Sequence, residues 1–188
     1  LGLPIIPSYV SYHNTFFLIF SSTVSDNSQN WYAFERASDT TISLNTQFSL
    51  QTKPDSAIAV KRVPGKGNNV IVFGTTVAEV WTQVGGLENY RRIQSFNIDS
   101  GVVAVSTIAA NDQFVCWLGQ NENNSPVIFV TNGASTEEIS TDGIDHVLGD
   151  LSHPEKSTAF FFKQDGHLFY QITFFDPNDN LSLIYDFN

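Results

Sequence analysis

The sequence contains one cysteine and no methionine among its 188 residues. Because Cys116 has no second cysteine to pair with, an internal disulfide is excluded, and packing and hydrogen bonds must hold the fold. No apolar run approaches the length that crosses a bilayer. Charged residues make up only 15% of the chain, too few for the solvated faces of a helical bundle or a coiled coil.

Basic residues are also scarce. Nine lysines and arginines stand against nineteen acidic residues, which gives a net charge of −10. Wrapping a nucleic acid requires a basic stripe, so this composition argues against it. Two short basic groups, Lys61–Arg62 with Lys66 and Arg91–Arg92, are interpreted as solvated hairpin surface. An acidic protein can still lie beside DNA without gripping it.

The length suits one domain with a substantial core, or two very small ones, and we interpret residues 1–188 as a single domain. The first residues, LGLPIIPSYV, have neither a basic flank nor an initiator methionine. They are therefore interpreted as the cut edge of a longer chain and not as a signal peptide.

What the sequence does contain is typical of strands and turns. Hydrophobic residues are 41% and aromatic residues 13%, including 16 phenylalanines, with Asn, Ser and Thr between the apolar runs. Four stretches share one rhythm of strand, turn, stronger strand, turn and third strand, and they begin near Tyr9, Ala57, Val102 and Thr158. Candidates for a fourth strand lie between them, at 42–50, 92–98 and 136–140.

The turns that separate these strands carry residues that tolerate a positive φ, namely Gly65 to Asn69, Asn111–Asp112 and Asp165–Gly166. Second turns are predicted at 74–76, 121–125 and 176–180. A spacing of about 40–50 residues per unit is that of a four-stranded propeller blade. The sequence thus predicts an all-β, β-propeller-like fold of about four antiparallel blades, complete or part of a larger ring, with a β-sandwich as the alternative. Short helical turns are predicted at 143–149 and 152–156.

Candidate chemical residues are scattered along the chain. His167 follows the Asp165–Gly166 turn, but no His or Cys stands near it in sequence, and it is interpreted as a strand-edge histidine bonded to backbone or solvent. The same interpretation covers His13, His146 and His153. The segment from Asp176 to Asn180 begins like a calcium loop but lacks the glycine at the sixth position and the glutamate at the twelfth, so a polar turn is predicted.

Other motifs are equally incomplete. The glycines at 65 and 67 lack the rest of a phosphate loop and no helix follows them. An acid/base pair for glycoside hydrolysis could in principle come from the carboxylates, although most are expected to be simply surface. These are Glu79, Glu88, Glu122, Glu137, Glu138, Asp142 and Asp145. Trp31, Trp81 and Trp117 are predicted to fill the interior between blades, and Cys116 to be a small buried hydrophobe.

In order along the chain, several motifs resemble those of one family. The segment VFGTTVAEVWTQVGG resembles a strand ending in Phe-Gly, a Thr-x-Glu-Val core, an aromatic residue and a glycine turn. The matching residues here are Phe73, Gly74, Thr76, Glu79, Val80, Trp81, Gly85 and Gly86. Pro54–Asp55, the Trp117-Leu118-Gly119 strand, Asn132–Gly133 followed by Ile139-Ser140-Thr141, the GHLFYQITF strand and the closing LIYDF follow in the expected order. The family is that of the tail-hub, or packaged-DNA stabilisation, proteins of P22-like short-tailed phages.

This resemblance implies a structural protein of the virion tail and not an enzyme. Such hubs are expected to form a ring of six copies below the portal and the head-completion adaptor, to support the tail needle or fibres and to line the DNA exit channel. DNA would pass through without specific binding, and no catalytic, metal-binding or cofactor-binding residue is expected. Family members are longer, so the chain is interpreted as their propeller-like middle portion, with residues 2–6 as a candidate strand for the last sheet.

Two rival functions remain open on sequence alone. One is a receptor- or carbohydrate-binding propeller at the tail tip, which would expose aromatic residues in a cleft. The other is a glycan-cleaving propeller, which would require two facing carboxylates.

Overall fold

The computed structural model describes residues 7–21, 29–35, 47–85, 88–120 and 124–188. The predicted turn at 121–125, the candidate strand at 42–50, Gly86, Glu122 and the candidate strand at 2–6 fall wholly or partly outside the described residues. The chain divides into two compact units. The first comprises Leu1–Arg62 and Lys66–Gly101, and the second comprises Val63–Gly65 and Val102–Asn188.

The first unit contains two four-stranded antiparallel sheets in which neighbours in sequence are neighbours in space. The first sheet consists of β1 (Pro7–His13), β2 (Phe16–Ser21), β3 (Asn30–Glu35) and β4 (Gln47–Ser49). The second consists of β5 (Ala59–Arg62), β6 (Asn69–Phe73), β7 (Ala78–Gln83) and β8 (Tyr90–Ile98). Alternate residues of β2 and β6, such as Leu18 and Val72, enter one apolar core, because successive side chains of a strand point to opposite faces of its sheet.

The second unit contains the other two sheets. One consists of β9 (Ala109–Ala110), β10 (Val115–Gln120), β11 (Pro126–Thr131) and β12 (Thr136–Glu138). After α1 (Asp142–Gly149), the other consists of β13 (Ser157–Gln164), β14 (His167–Phe174) and β15 (Leu181–Asp186). Its core includes Cys116, Leu118, Tyr170 and Ile172. None of the described helices is long and apolar enough to cross a membrane.

The predicted pattern of four small antiparallel sheets is confirmed, and so is α1. The turn residues act as predicted at Asp165 and Gly166, whose φ angles are 52° and 87° between β13 and β14. Asn111 turns the chain by a different means, since its side-chain oxygen accepts hydrogen bonds from the backbone N–H groups of Gln113 and Phe114.

One detail of the prediction was wrong. Residues 152–156 form no helix, because only one turn-type bond, from the N–H of Lys156 to the carbonyl of His153, closes there. The fourth sheet has three described strands, β13, β14 and β15, and the predicted strand at 2–6 lies outside the described residues.

Candidate functional site

The Asp55 carboxylate organises the turn between β6 and β7. One oxygen accepts from the N–H of Ser56 at 2.7 Å and from the hydroxyl of Thr75. The other accepts from the N–H and the hydroxyl of Thr76 at 2.7 Å and 3.0 Å and from the N–H of Val77 at 3.1 Å. Two separate sequence motifs, Pro54–Asp55 and the Phe-Gly-Thr-Thr turn, are therefore joined in one hydrogen-bond network, which we call the Asp55 network.

The pKa of Asp55 and the lack of space at Gly74 both agree with this hydrogen-bond arrangement. Burial alone would raise the pKa of Asp55, but the hydrogen bonds from Thr75, Thr76 and Ser56 outweigh it and hold the pKa below 3.8. At Gly74 a Cβ atom would lie 2.3 Å from an Asp55 carboxylate oxygen and 2.8 Å from Leu50 Cδ1. The glycine of the motif is thus required by the close approach of the carboxylate.

Glu79, on β7, is the centre of a second hydrogen-bond network. Its side chain is fully buried, which contradicts the expectation of a surface carboxylate. Its Oε1 accepts from the N–H groups of Gln51 and Thr52 at 2.7 Å and 2.5 Å and from the Thr52 hydroxyl at 2.7 Å. Its Oε2 accepts from the indole N–H of Trp81 at 3.1 Å. This Glu79 network links the residues that follow β4 to the centre of the second sheet.

Arg92 completes the surroundings of Glu79. Its Nε lies 3.5 Å from Glu79 Oε1, which is ion-pair distance without a hydrogen bond, and its Nη2 donates to Asn97 at 2.5 Å. The Arg92 side chain is only 12% exposed, so its interpretation as solvated surface was wrong, whereas Arg91 is exposed and pairs with Glu88. A fully buried carboxylate with a nearby guanidinium and four hydrogen bonds is held firmly within the fold.

A cleft of about 720 Å³ opens beside these residues and is bordered by Phe48, Gln51, Trp81, Tyr90 and Arg92. A sugar-binding cleft would present aromatic faces to solvent. Here Trp81 and Tyr90 are each 2% exposed, and both are turned into the cluster around Trp31. Trp31 also stacks on Phe48 at 4.6 Å. The aromatic residues therefore act as core, as predicted for Trp31 and Trp81.

His13 lies at the end of β1, next to the same cluster. Its Nε2 lies 2.9 Å from the carbonyl of Gly67, and its Nδ1 lies 2.8 Å from the Tyr90 hydroxyl. The carbonyl can only accept, so Nε2 carries the proton and Nδ1 accepts from Tyr90. Burial lowers the pKa of His13, and Arg62 lowers it further against the opposing bond to Gly67. His13 is therefore a neutral structural link between β1 and the second sheet.

The other three histidines each face one carboxylate. His167 Nδ1 lies 2.9 Å from Asp186 and His153 Nδ1 lies 2.9 Å from Glu155, while His146 on α1 is 3.8 Å from Asp150. The His167 contact differs from the prediction of a backbone or solvent partner, because β15 pairs with β14 and brings Asp186 alongside. Across the described ranges, no three His, Cys, Asp or Glu side chains converge as metal ligands would.

The remaining candidates are structural. Asp176 is buried, bonds Lys156 at 2.7 Å and accepts from the Asn178 N–H, so the segment from 176 to 180 is the predicted polar turn. Trp117 and Cys116 are fully buried on β10, as predicted, and burial raises the pKa of the Cys116 thiol. Glu138 lies close to Asp142 and Asp145, which are in the first turn of α1. Partial burial raises the pKa of Glu138, and the neighbouring carboxyl groups of Asp145 and Asp142 raise it further.

The charge of the chain is unevenly distributed between its two halves. This distribution can be read from the sequence, although only the net charge of the whole chain was used above to predict function. Residues 102–188 contain twelve acidic and two basic residues, a net charge of −10. Residues 1–101 contain seven of each and are neutral overall. The second unit is therefore the source of the whole negative charge of the protein.

A family model described as bacteriophage P22 Gp10, β-propeller, matches residues 16–188. No curated protein matches the chain. Among solved structures, similarity extends to the WD40 domain of SCAP from fission yeast, at 13% identity and a TM-score of 0.47 over 99% of this chain. It extends also to Hsv2 of Kluyveromyces lactis, at 7% identity and a TM-score of 0.43 over 95% of this chain.

A third similarity is to a chain of the S. cerevisiae complex of mutant Dbp5 bound to Nup159, mutant Gle1, IP6 and ADP, at 8% identity and a TM-score of 0.41 over 95% of this chain. The chain spans 43% of the length of this structure and of the SCAP domain, and 60% of the length of Hsv2.

Proposed function

The chain belongs to the bacteriophage P22 Gp10 β-propeller family, and from this premise we propose that it forms part of the tail hub of a short-tailed phage. Membership confirms the predicted resemblance and the propeller-like all-β fold, and it makes the protein a phage structural protein and a virion component. The finer role proposed is that of a hub ring, in six copies, that retains packaged DNA and forms its exit channel. The single-domain interpretation stays a prediction.

One observation carries this proposal beyond family membership. The polar residues with the chemistry of an active site, Asp55, Glu79 and His13, are each engaged by hydrogen bonds that hold turns and strands in place. Their hydrogen-bonding capacity is used within the fold, so the molecule works by its shape and surface. The three tryptophans, which a carbohydrate-binding role would expose, are instead buried at positions 31, 81 and 117.

The charge distribution suits a conduit for DNA. A channel wall that bound the phosphates of DNA would slow ejection. A carboxylate-rich channel wall instead repels the phosphate backbone and keeps the DNA mobile. We assign that wall to the second unit, since residues 102–188 carry the net charge of −10. The portal and head-completion adaptor on one side of the ring, and the needle or fibres on the other, are the partners proposed.

Cryo-electron microscopy of the intact virion tests this assignment directly. We expect six copies of the chain in a ring below the portal, with residues 102–188 nearest the axis. A position at the tip of a fibre, or a ring whose lumen is lined by residues 1–101, would contradict it. Genome retention gives a second readout, because particles assembled without the protein should package DNA and then lose it.

A further inference from the structure

The turn between β11 and β12 contains the only Asn-Gly pair of the sequence, Asn132–Gly133. The pairing of Thr131 with Thr136 closes this turn. In an Asn-Gly pair the backbone nitrogen of the glycine can attack the side-chain amide carbon of the asparagine, because glycine has no side chain to hinder the approach. The pair is therefore a place where the chain can modify itself without an enzyme.

This reaction, deamidation, has two steps and needs only water. In the first step the Gly133 nitrogen gives up its proton and forms a bond to Asn132 Cγ, the bond from Cγ to Nδ2 breaks, and Nδ2 takes up a proton and leaves as ammonia. Water then opens the resulting succinimide ring at one of its two carbonyl carbons. One opening gives aspartate. The other gives isoaspartate, in which the main chain runs through the former side chain and is longer by a methylene group.

The folded turn holds both reacting groups in hydrogen bonds. The N–H of Gly133 donates to Thr131 Oγ1 at 3.1 Å, and the buried Thr131 hydroxyl donates to the carbonyl of Ser135 at 2.6 Å. The nitrogen can attack only after it loses that proton, and a buried hydrogen bond opposes the loss. The side-chain oxygen of Asn132 accepts from the N–H groups of Ala134 and Ser135 at 2.8 Å and 3.0 Å, which fixes the amide in the turn.

The main chain at Gly133 has no room to lengthen. Gly133 is buried with a φ of 80°, and a Cβ atom there would lie 2.1 Å from Val63 Cγ1. Isoaspartate at position 132 would add a methylene group to the main chain directly before this closely packed glycine. Aspartate at position 132 would keep the main chain unchanged, and its carboxylate can accept the same two N–H bonds.

We propose that Asn132–Gly133 is a self-modification site that the β11–β12 turn keeps unreactive in the folded chain, and that its isoaspartate product can no longer form this turn. Deamidation then takes place in chains that are unfolded or locally open at the turn. It marks such chains permanently, whereas folded chains keep Asn132. The inference does not depend on the proposed tail function.

The first test compares reaction rates. The whole chain is incubated at neutral pH, either folded or unfolded in urea, and the conversion of Asn132 is followed by mass spectrometry of its proteolytic peptides. A synthetic peptide of residues 127–137 gives the rate without a fold. We expect the unfolded chain to match the peptide and the folded chain to react at least about tenfold more slowly. Equal rates in all three samples would overturn the proposal. A faster reaction in the folded chain would also overturn it, and would show that the N–H groups of Ala134 and Ser135 promote the attack.

The second test removes the acceptor of the Gly133 proton. Thr131→Val keeps the shape of the side chain but not its hydroxyl, and it should speed the reaction of the folded chain about tenfold while the rate in urea stays the same. Thr131→Ser keeps the hydroxyl and should react like the wild type. Amide exchange at the buried Leu118 on β10 should not change. An unchanged rate in the valine variant, or a rise matched by faster exchange at Leu118, would contradict the protection assigned to Thr131.

The third test concerns the products. Chains aged in urea are separated by chromatography into aspartate and isoaspartate forms and returned to native buffer. The isoaspartate form should show rapid amide exchange at Gly133, whereas the variant Asn132→Asp, which models the other product, should regain wild-type protection there. Full protection of Gly133 in the isoaspartate form would show that the turn tolerates the longer main chain, and the second half of the proposal would be wrong.

Discussion

At the scale of single residues, the family motifs are explained by two carboxylates. Asp55 and Glu79 each collect hydrogen bonds from segments that are far apart in sequence. A buried carboxylate that accepts several N–H and O–H bonds stabilises a turn more strongly than a neutral acceptor does, but it costs a great deal when its partners are lost. The residues conspicuous in the motifs therefore serve folding.

Replacement of Asp55 by asparagine should destabilise the protein by about 2–3 kcal/mol at pH 7, because the new amide group faces donors. The pKa of Asp55 is depressed in the fold, so its stabilising contribution is present above pH 3.8 and is lost as the pH falls through the folded value. Urea unfolding followed by tryptophan fluorescence should show a large deficit at pH 7 that shrinks as the pH falls below 3.8. The exposed Asp112→Asn is the control, and a deficit independent of pH would contradict the assignment.

Gly74 and Gly143 make a matched pair of glycine-to-alanine substitutions. Gly74→Ala should cost about 1–3 kcal/mol, since the new Cβ would lie 2.3 Å from the Asp55 carboxylate. Gly143→Ala, in the first turn of α1 with nothing within 4 Å, should instead raise the free energy of unfolding by about 0.5–1 kcal/mol. Thermal unfolding measures both, and equal effects at the two sites would show that contact with Asp55 is unimportant.

At the scale of elements, the sheets of the first unit are joined by side chains from one sheet that bind backbone or aromatic groups of another. Glu79 on β7 binds the backbone N–H groups that follow β4, and His13 on β1 binds Gly67 and Tyr90. Short strands such as β4 make few ladder bonds of their own. Such cross-links are therefore needed to fix where these strands lie.

Glu79→Ala should destabilise the first unit by about 3–5 kcal/mol, because Arg92 and four donors lose their acceptor. Glu79→Gln should cost less, since Oε1 can still accept from Gln51 and Thr52 while only the Trp81 indole bond is lost. Hydrogen exchange at the amides of residues 51 and 52 should accelerate in the alanine variant. Unchanged exchange there would mean that Glu79 does not hold this segment.

At the scale of the whole molecule, the separation of charge is the dominant feature. Residues 1–101, which contain Asp55 and Glu79, are neutral overall, whereas residues 102–188 have a net charge of −10. A uniformly spread −10 would act alike on every surface, whereas a concentrated charge distinguishes one surface of an assembly from another.

Duplex DNA should not bind the wild-type chain at about 0.15 M salt, because its acidic unit repels phosphates. Changing the exposed Glu137, Asp142 and Asp150 to lysine removes three negative charges and adds three positive ones, and should produce weak, salt-sensitive binding. An electrophoretic mobility shift with a random duplex measures both. Tight binding by the wild type at this salt concentration would count against the conduit.

The sequence by itself determined the strands, most of their turns and the burial of the tryptophans. Positive φ at Asp165 and Gly166 and the continuous apolar runs of β2 and β6 are local properties, and local rules are sufficient to predict them. The motif order was also enough to identify the family. The division of charge between residues 1–101 and 102–188 was equally readable from the sequence.

Only the tertiary structure decided what the polar residues do. In the sequence Glu79 looks like any surface carboxylate, and only the fold brings it within hydrogen-bond distance of the Gln51 N–H. Asp55 accepts a hydrogen bond from the hydroxyl of Thr75, which is 20 residues away in sequence. Which of two neighbours a strand pairs with also depends on contacts between distant segments. Hydrogen bonds of this kind form only when the chain has folded, so no local pattern encodes them.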